Sequence, residues 1–460
     1  MHALPPETLV IIFRYILDSC FGPNDAPRED FYKWTAVTRV CRYWRESGLS
    51  FATLWSTVSM DNLPGALISI ERSRSAPLDI YVPSHRPLDG ILDKIRDHVP
   101  RVRKLAAKVY HFDTLNTSLG SPIFAPNLQT LDIHKIGKQN RPLPLVFNAD
   151  IPNLSSVRLS GISNWTPNHF TGLKRLSFEN VHQILPIDDL LDILGANPAL
   201  EYLELWKAEP TAEPTSRHIT LPHLRQLKFS SGSPRRLLEY ISLPSTCRVE
   251  LTSITLDSLD RSIFQHALPS ESLPGIKDVE RLKIKVGDGI DGIEISGVTK
   301  SSAFRLHVSS MARTLVRSTL GSFGPLLAAS IRELCVQGCR ESEYPDPENW
   351  KPLLGSMTNL DTLWVVKGDC EPVLRILETD SRSLSSMRFL RVCSDRPSSL
   401  LQALRAVGQA RRDQGHPIEH LVVACRPEDA DSWNGLVDVF GAVDVVRPRD
   451  FLVVSFMSAL

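Results

Sequence analysis

Few residues of this 460-residue chain have types and spacings that could do chemistry. Gly287-x-Gly289-x-x-Gly292 has the spacing of a dinucleotide fingerprint, whose glycines let backbone amides approach a pyrophosphate where a helix begins. The residues that follow, Ile293-Glu294-Ile295-Ser296-Gly297-Val298, alternate like a strand, so the stretch predicts a hairpin turn instead. Asp288 and Asp291 lack the further carboxylates and the closing Glu of a calcium loop. Asp188, Asp189 and Asp192 stand early in a helical segment, where acidic side chains complement the helix dipole, and they predict a solvated face rather than an acid–base pair. Cys335 and Cys339 are the closest pair among eight cysteines. There is no C-x-x-C spacing for zinc, and no His stands beside Cys339 in sequence to act as its base. Reduced, packed thiols are expected. The thirteen histidines form no H-E-x-x-H, and no serine lies in a G-x-S-x-G elbow. The expectation is a protein with no catalytic residues, no metal and no cofactor.

The elements that carry these residues repeat. An apolar residue, a second three positions on and a third two further appear at Val102-Leu105-Ala107, Leu128-Leu131-Ile133, Leu154-Val157-Leu159, Leu173-Leu176-Phe178, Leu200-Leu203-Leu205 and Leu224-Leu227-Phe229. The spacing returns at Val279-Leu282-Ile284, Ile331-Leu334-Val336, Leu360-Leu363-Val365, Leu384-Met387-Phe389 and Ile418-Leu421-Val423, with shorter copies at Val249-Leu251 and Leu306-Val308. The mean period is about 26 residues, inside the window of leucine-rich repeats. Pro126-Asn127, Pro152-Asn153, Pro198-Ala199 and Pro222-His223 put a proline in the turn before the strand, where it removes no ladder hydrogen bond. Helical pieces lie between copies, at Pro186 to Leu194, Ser233 to Ile241 and Leu400 to Ala410. Strand followed by helix, stacked, predicts an α/β solenoid over residues 101–460, with parallel strands on the concave face and helices on the convex one. Trp433 to Phe440 and Phe451 to Phe456 predict a closing helix and strand.

Residues between the repeat's apolar positions turn away from the core. Asp132, Arg158, Ser177, Glu204, Lys228 and Lys283 are therefore candidates for binding a target on the concave face, with Trp206 and Trp364 as possible hot spots. Their charges are mixed and name no target.

Residues 1–60 have another character. Leu4-Pro5-Pro6-Glu7 opens a helix, since proline is tolerated in the first turn and Glu7 suits the dipole. Leu9, Ile12, Phe13, Ile16 and Leu17 fall on one stripe, with Val10 and Ile11 to spare. Trp34 to Glu46 predicts a second helix through Trp34, Val37, Cys41 and Trp44, widened by Val40. Residues 61–100 predict linker helices around Asp61 to Glu71 and Leu88 to Val99, and a strand at Ala76 to Val82.

Leu4-Pro5-x-Glu7 with its apolar helix, then Val40-Cys41-Arg42-Tyr43-Trp44-Arg45, then Leu54-Trp55-Ser56-Thr57-Val58, resembles an F-box in the F-box-like form of fungal proteins. With the repeats, the chain is similar to fungal F-box and leucine-rich-repeat proteins. It departs from the pattern in the stretch Asp18 to Asp30, longer than a compact F-box turn. The resemblance implies a substrate-recognition subunit of a cullin-RING (Skp–cullin–F-box) ubiquitin ligase. Leu4, Pro5, Glu7, Leu9, Ile12, Phe13, Ile16, Val37, Val40, Cys41, Trp44, Leu54 and Trp55 would dock a Skp-type adaptor, and the repeats would bind an unknown protein substrate. The competing reading is a leucine-rich-repeat scaffold unconnected to ubiquitin ligation, capped by these helices.

An apolar content of 42% with 23% charged residues fits a globular chain. Lys plus Arg equals Asp plus Glu, 52 against 52, so no overall field recruits nucleic acid or an anionic membrane. No apolar run reaches a membrane span and no leader pattern opens the sequence, so a cytoplasmic or nuclear location is expected.

Overall fold

A computed structural model of the chain describes residues 4–22, 27–86, 88–110, 124–137, 143, 145–149, 151–162, 164–165, 170–181, 185–211, 216–232, 234–254, 278–286, 292–300, 303–309, 330–338, 347–366, 371–379, 384–393, 397–425, 433, 435–447 and 451. They build a mixed α/β fold of repeat-like strands and helices, divided into two compact units, Met1–Glu213 and Pro214–Leu460.

In the first unit α1 (Pro6–Ser19) begins at the proline pair with Glu7 in its first turn. The second helix forms in two parts rather than as the single predicted element: a 3-10 helix at Phe31–Arg39 and α2 at Arg42–Ser50. Thr35 and Thr38 donate their hydroxyls to the carbonyls of Tyr32 and Thr35, three residues back, within the tighter winding. Cys41 is extended at φ −157°, and its sulfur accepts the Trp44 amide to cap α2. After β1 (Thr57–Ser59) come α3 (Leu63–Arg72), β2 (Leu78–Val82) and α4 (Leu88–Lys94). The predicted helix to Val99 ends early, passing into a 3-10 turn at Arg96–Arg101 that contains Pro100.

Five strands follow at the predicted places: β3 (Val102–Val109), β4 (Thr130–Lys135), β5 (Ser156–Ser160), β6 (Arg175–Glu179) and β7 (Tyr202–Trp206). From β1 to β7 each pairs in parallel with the next in chain order. Leu105, Leu131, Val157, Leu176 and Leu203 stand opposite one another in one buried row, and Ala107, Ile133, Leu159, Phe178 and Leu205 in the next. Side-chain amides tie the turns together. Asn127 donates to the Pro100 carbonyl (2.8 Å), and Asn153 to that of Pro126 (2.7 Å). Asn197, buried after α5 (Ile187–Gly195), donates to the carbonyls of Phe170 and Ile193 and accepts the Leu173 amide, each at 2.7 Å. These bonds satisfy backbone groups that no strand or helix ladder reaches.

In the second unit β8 (Ile219–Thr220) and β10 (Ile241–Ser242) form a small parallel pair, flanking β9 (Gln226–Gly232) and a four-residue α6 (Arg235–Leu238) in chain order. The helical piece expected from Ser233 to Ile241 is thus much shorter. The main ladder runs β9, β11 (Arg248–Ile254), β14 (Ala303–Ser309), β13 (Gly292–Val298), β12 (Arg281–Val286), β15 (Glu333–Gln337), β16 (Thr362–Val366), β17 (Phe389–Cys393), β18 (His420–Ala424) and β19 (Ala442–Val446). It is parallel except where β13 lies antiparallel to both β12 and β14. The hairpin expected at the glycine triplet is therefore present in its two strands, while Gly287, Asp288, Gly289 and Asp291 lie outside the described residues. Gly297 sits opposite Phe304, whose ring fills the space a side chain would need. Helices α7 (Pro347–Ser356), α8 (Glu371–Thr379) and α9 (Pro397–Asp413) alternate with the last strands.

One expectation is corrected here. The copy placed at Leu384-Met387-Phe389 is displaced by three residues, because Leu390 and Val392, not Met387 and Phe389, pair with Leu363 and Val365. Both triplets satisfy the apolar spacing. Leu384 has a left-handed backbone (φ 62°) and its carbonyl accepts the buried Arg411 guanidinium (2.8 Å), so it belongs to the turn. After β18 the ladder continues with a strand at Ala442–Val446; of the closing strand expected from Phe451 to Phe456 only Phe451 lies among the described residues.

Candidate functional site

The N-terminal helices surround their own apolar core of Leu9, Phe13, Leu17, Phe31, Trp34, Val37, Leu54 and Trp55. The rings of Trp34 and Trp55 lie 4.8 Å apart, and the Trp55 indole donates to the Gly48 carbonyl (2.9 Å). Leu9, Phe13, Val37, Leu54 and Trp55, expected on a docking surface, are instead buried in this core. Residues 1–60 lack enough mass to hide one helix stripe any other way. Ile12, Ile16 and Trp44 are half-buried, and Trp44 stacks at 5.4 Å on Phe13. Leu4, Pro5, Glu7, Val40 and Cys41 are exposed.

A second apolar line runs along α1 away from the core. Ile11 is 59% and Tyr15 72% exposed, four residues apart on one helical face, and Leu4, also exposed, precedes the helix with its carbonyl accepting the Tyr43 hydroxyl (2.7 Å). Val40 stands 61% exposed before α2. Large apolar groups left in water on one short helix are the signal of an interaction surface.

On the strands of the first unit most positions facing away from the buried rows are polar. Tyr81, Ala106, Asp132, Arg158, Ser177 and Glu204 stand in register across six strands. Beside them run Lys108, His134, Ser160, Glu179 and Trp206. Arg158 donates to Glu179 (2.6 Å), which also accepts the Ser177 hydroxyl (3.3 Å). Ser177 lies 3.0 Å from Glu204, which accepts the Tyr202 hydroxyl (2.9 Å). The Arg175 guanidinium covers the Tyr202 ring at 4.2 Å. Burial holds the Asp132 carboxyl above its usual range, against the pull of Arg158 and Lys104. Burial, and then Lys108, hold His134 below its usual value. Trp206 is exposed at the row's end.

In the second unit the same strand positions change character. Lys228 and Lys283 are half-buried on β9 and β12. Trp364 is only 5% exposed: Phe451 packs edge-on against it at 5.2 Å, Arg391 lies over its ring, and its indole donates to Glu333 (2.6 Å). It belongs to an apolar cluster with Cys335, Val366, Cys393, Val422 and Ala424, so its placement as an open hot spot is corrected. Cys335 is buried there, with its thiol pushed up to about 12 by desolvation. Cys339 lies outside the described residues.

Among the described residues no group of three or more His, Cys, Asp or Glu is placed to hold a metal, and no helix is long and apolar enough to cross a membrane. Compared with known proteins, the chain matches no family model and no curated protein.

Ile11, Tyr15, Lys104, Lys108, His134 and Glu179 are site residues that the sequence reading passed over. The period-two alternation that selects Asp132 and Arg158 also selects His134 and Lys108, and the four-residue step from Ile11 to Tyr15 puts both on one helical face.

Proposed function

We propose that this chain is the substrate-recognition subunit of a Skp–cullin–F-box ubiquitin ligase, with an F-box-like helical module and a leucine-rich-repeat solenoid. The chain itself catalyses nothing, and ubiquitin transfer belongs to its partners. The observation that carries the reading is the exposure of Ile11 and Tyr15 on one face of α1, with Leu4 and Val40 also exposed, on a module whose core is already filled by other residues. A helix with two apolar faces has one to spare for a partner. The polar strand face around Asp132, Arg158, Ser177 and Glu204, with Trp206 at its rim, would take the target.

The test is co-purification of the full chain with a Skp-type adaptor, beside an Ile11→Asp, Tyr15→Asp variant. Both positions are exposed, so circular dichroism is expected to be unchanged while stoichiometric capture is lost. A folded intact chain that captures no adaptor overturns the proposal. That outcome favours the second reading, a repeat scaffold capped by its helices. Its support is the contact of Phe21 with Tyr81 (6.0 Å between rings) and of the Tyr32 hydroxyl with the Ser59 carbonyl (2.9 Å), which bind the helices to the first strands.

A further inference from the structure

Over β3 the strand face of the first unit opens into a cavity of about 700 Å³, bounded on one side by residues 27–29 and 82–85. Ala106 lies in the floor between Tyr81 and Asp132 of the neighbouring strands. Its methyl leaves a depression that the longer side chains around it overlook. Lys104 and Lys108 stand two residues to either side, about 13 Å apart along the strand. That separation lets two extended lysine side chains converge above the alanine.

The charges around the depression are unevenly used. Glu179 is taken by Arg158 and Ser177, and Asp61 lies 3.4 Å from His85. Lys104 rests over the Tyr81 ring (4.9 Å); neither it nor Lys108 nor Arg28 makes an ion pair among the described residues. Against these three cations stand Glu29, exposed at the rim, and Asp132, whose carboxyl burial disfavours in its charged form. The unspent charge is positive and sits where the floor is lowest.

We infer that this cavity binds an anionic side chain of a target segment, a carboxylate or a phosphate ester, held between Lys104 and Lys108 above Ala106. The assignment rests on the receptor reading for its biological target, though not for the binding itself. Two lysines on one anion give charge-assisted bonds that a neutral side chain cannot replace. Asp132 beside them weakens binding while ionised, and so tunes the site against indiscriminate anions.

The experiment uses the full chain and fluorescein-labelled hexapeptides: hexaglutamate, hexalysine, and a Gly-Ser hexapeptide with or without one phosphoserine. Anisotropy is expected to show binding of hexaglutamate, of the phosphoserine peptide or of both, weakening with salt, and none of hexalysine. Whichever anionic peptide binds more tightly identifies the source of the charge. Lys104→Ala with Lys108→Ala is expected to weaken binding about tenfold or more. Should that variant unfold by circular dichroism, Lys104→Gln with Lys108→Gln serves in its place. Asp132→Asn is expected to tighten binding several-fold, a gain that a purely structural aspartate would not give. Failure of both anionic peptides to bind a folded chain, or binding indifferent to the lysine substitutions, overturns the inference. Adaptor capture is read separately: capture without peptide binding sinks this site alone, and peptide binding without capture sinks the receptor reading alone.

Discussion

Leu9 and Ile11 are two residues apart on one helix and are expected to answer oppositely to truncation. Leu9 is 0% exposed within a core that also holds Phe13, Trp34 and Trp55, whereas Ile11 is 59% exposed. Leu9→Ala removes buried methyl groups and leaves a space that tryptophan rings cannot collapse into, which costs about 2–5 kcal/mol, with about 3 as the central expectation. Ile11→Ala removes atoms already in water, and its effect is expected within about 0.5 kcal/mol. In a unit the size of Met1–Glu213, each kcal/mol moves the melting temperature by about 2–4 °C, so Leu9→Ala is expected to lower it by about 6–12 °C. Thermal melts read by tryptophan fluorescence suit the comparison, because the stacked Trp34 and Trp55 report on this core. Equal losses in the two variants, or a larger loss at Ile11, would refute the assignment of inner and outer faces on α1. The docking proposal would then lose its surface.

Asn197→Ala strands the Leu173 amide and the carbonyls of Phe170 and Ile193, and at about 1 kcal/mol for each buried group it is expected to cost about 3 kcal/mol in urea unfolding. Asn197→Asp does not rescue it, since a carboxylate cannot donate to two carbonyls; recovery of stability in that variant would contradict the role. The folded chain holds a proton on Asp132 more readily than the unfolded chain does. This group therefore destabilises the fold increasingly as pH rises through the usual carboxylate range towards its raised folded value, and fully above that. Asp132→Asn is expected to be more stable than the parent at neutral pH, with the difference in urea midpoint vanishing in acid; a difference independent of pH would rule out burial of the charge as its cause.

The strand ladder was legible in the sequence because its signal is local. Leu131 and Ile133, Leu203 and Leu205, and Leu363 and Val365 lie on one side of their strands by alternation alone, and the period of about 26 residues brings like residues into register. The polar row of Asp132, Arg158, Ser177 and Glu204 follows from the same alternation. Spacing could not separate two overlapping triplets around Leu384 and Met387. That choice rests on the left-handed turn at Leu384 and the bond its carbonyl accepts from Arg411, 27 residues away in the chain.

By itself, then, the sequence determined the repeat, most of its strands, the two faces of the strands in the first unit and the helical character of the first residues, all of which arise from periodicity within a few neighbours. Tertiary structure alone decided which apolar residues stay in water. Leu9 and Ile11 have similar hydrophobicity, and only the packing of Phe31–Arg39 and Trp55 against one side of α1 buries the first and leaves the second exposed. Trp206 and Trp364 both lie, by alternation, on the face away from their repeat leucines, Trp364 at the place that Glu204 takes in its own repeat and Trp206 two residues further on. One faces solvent and the other lies beneath Phe451, because burial depends on what the distant chain lays over a surface and not on the residue that makes it.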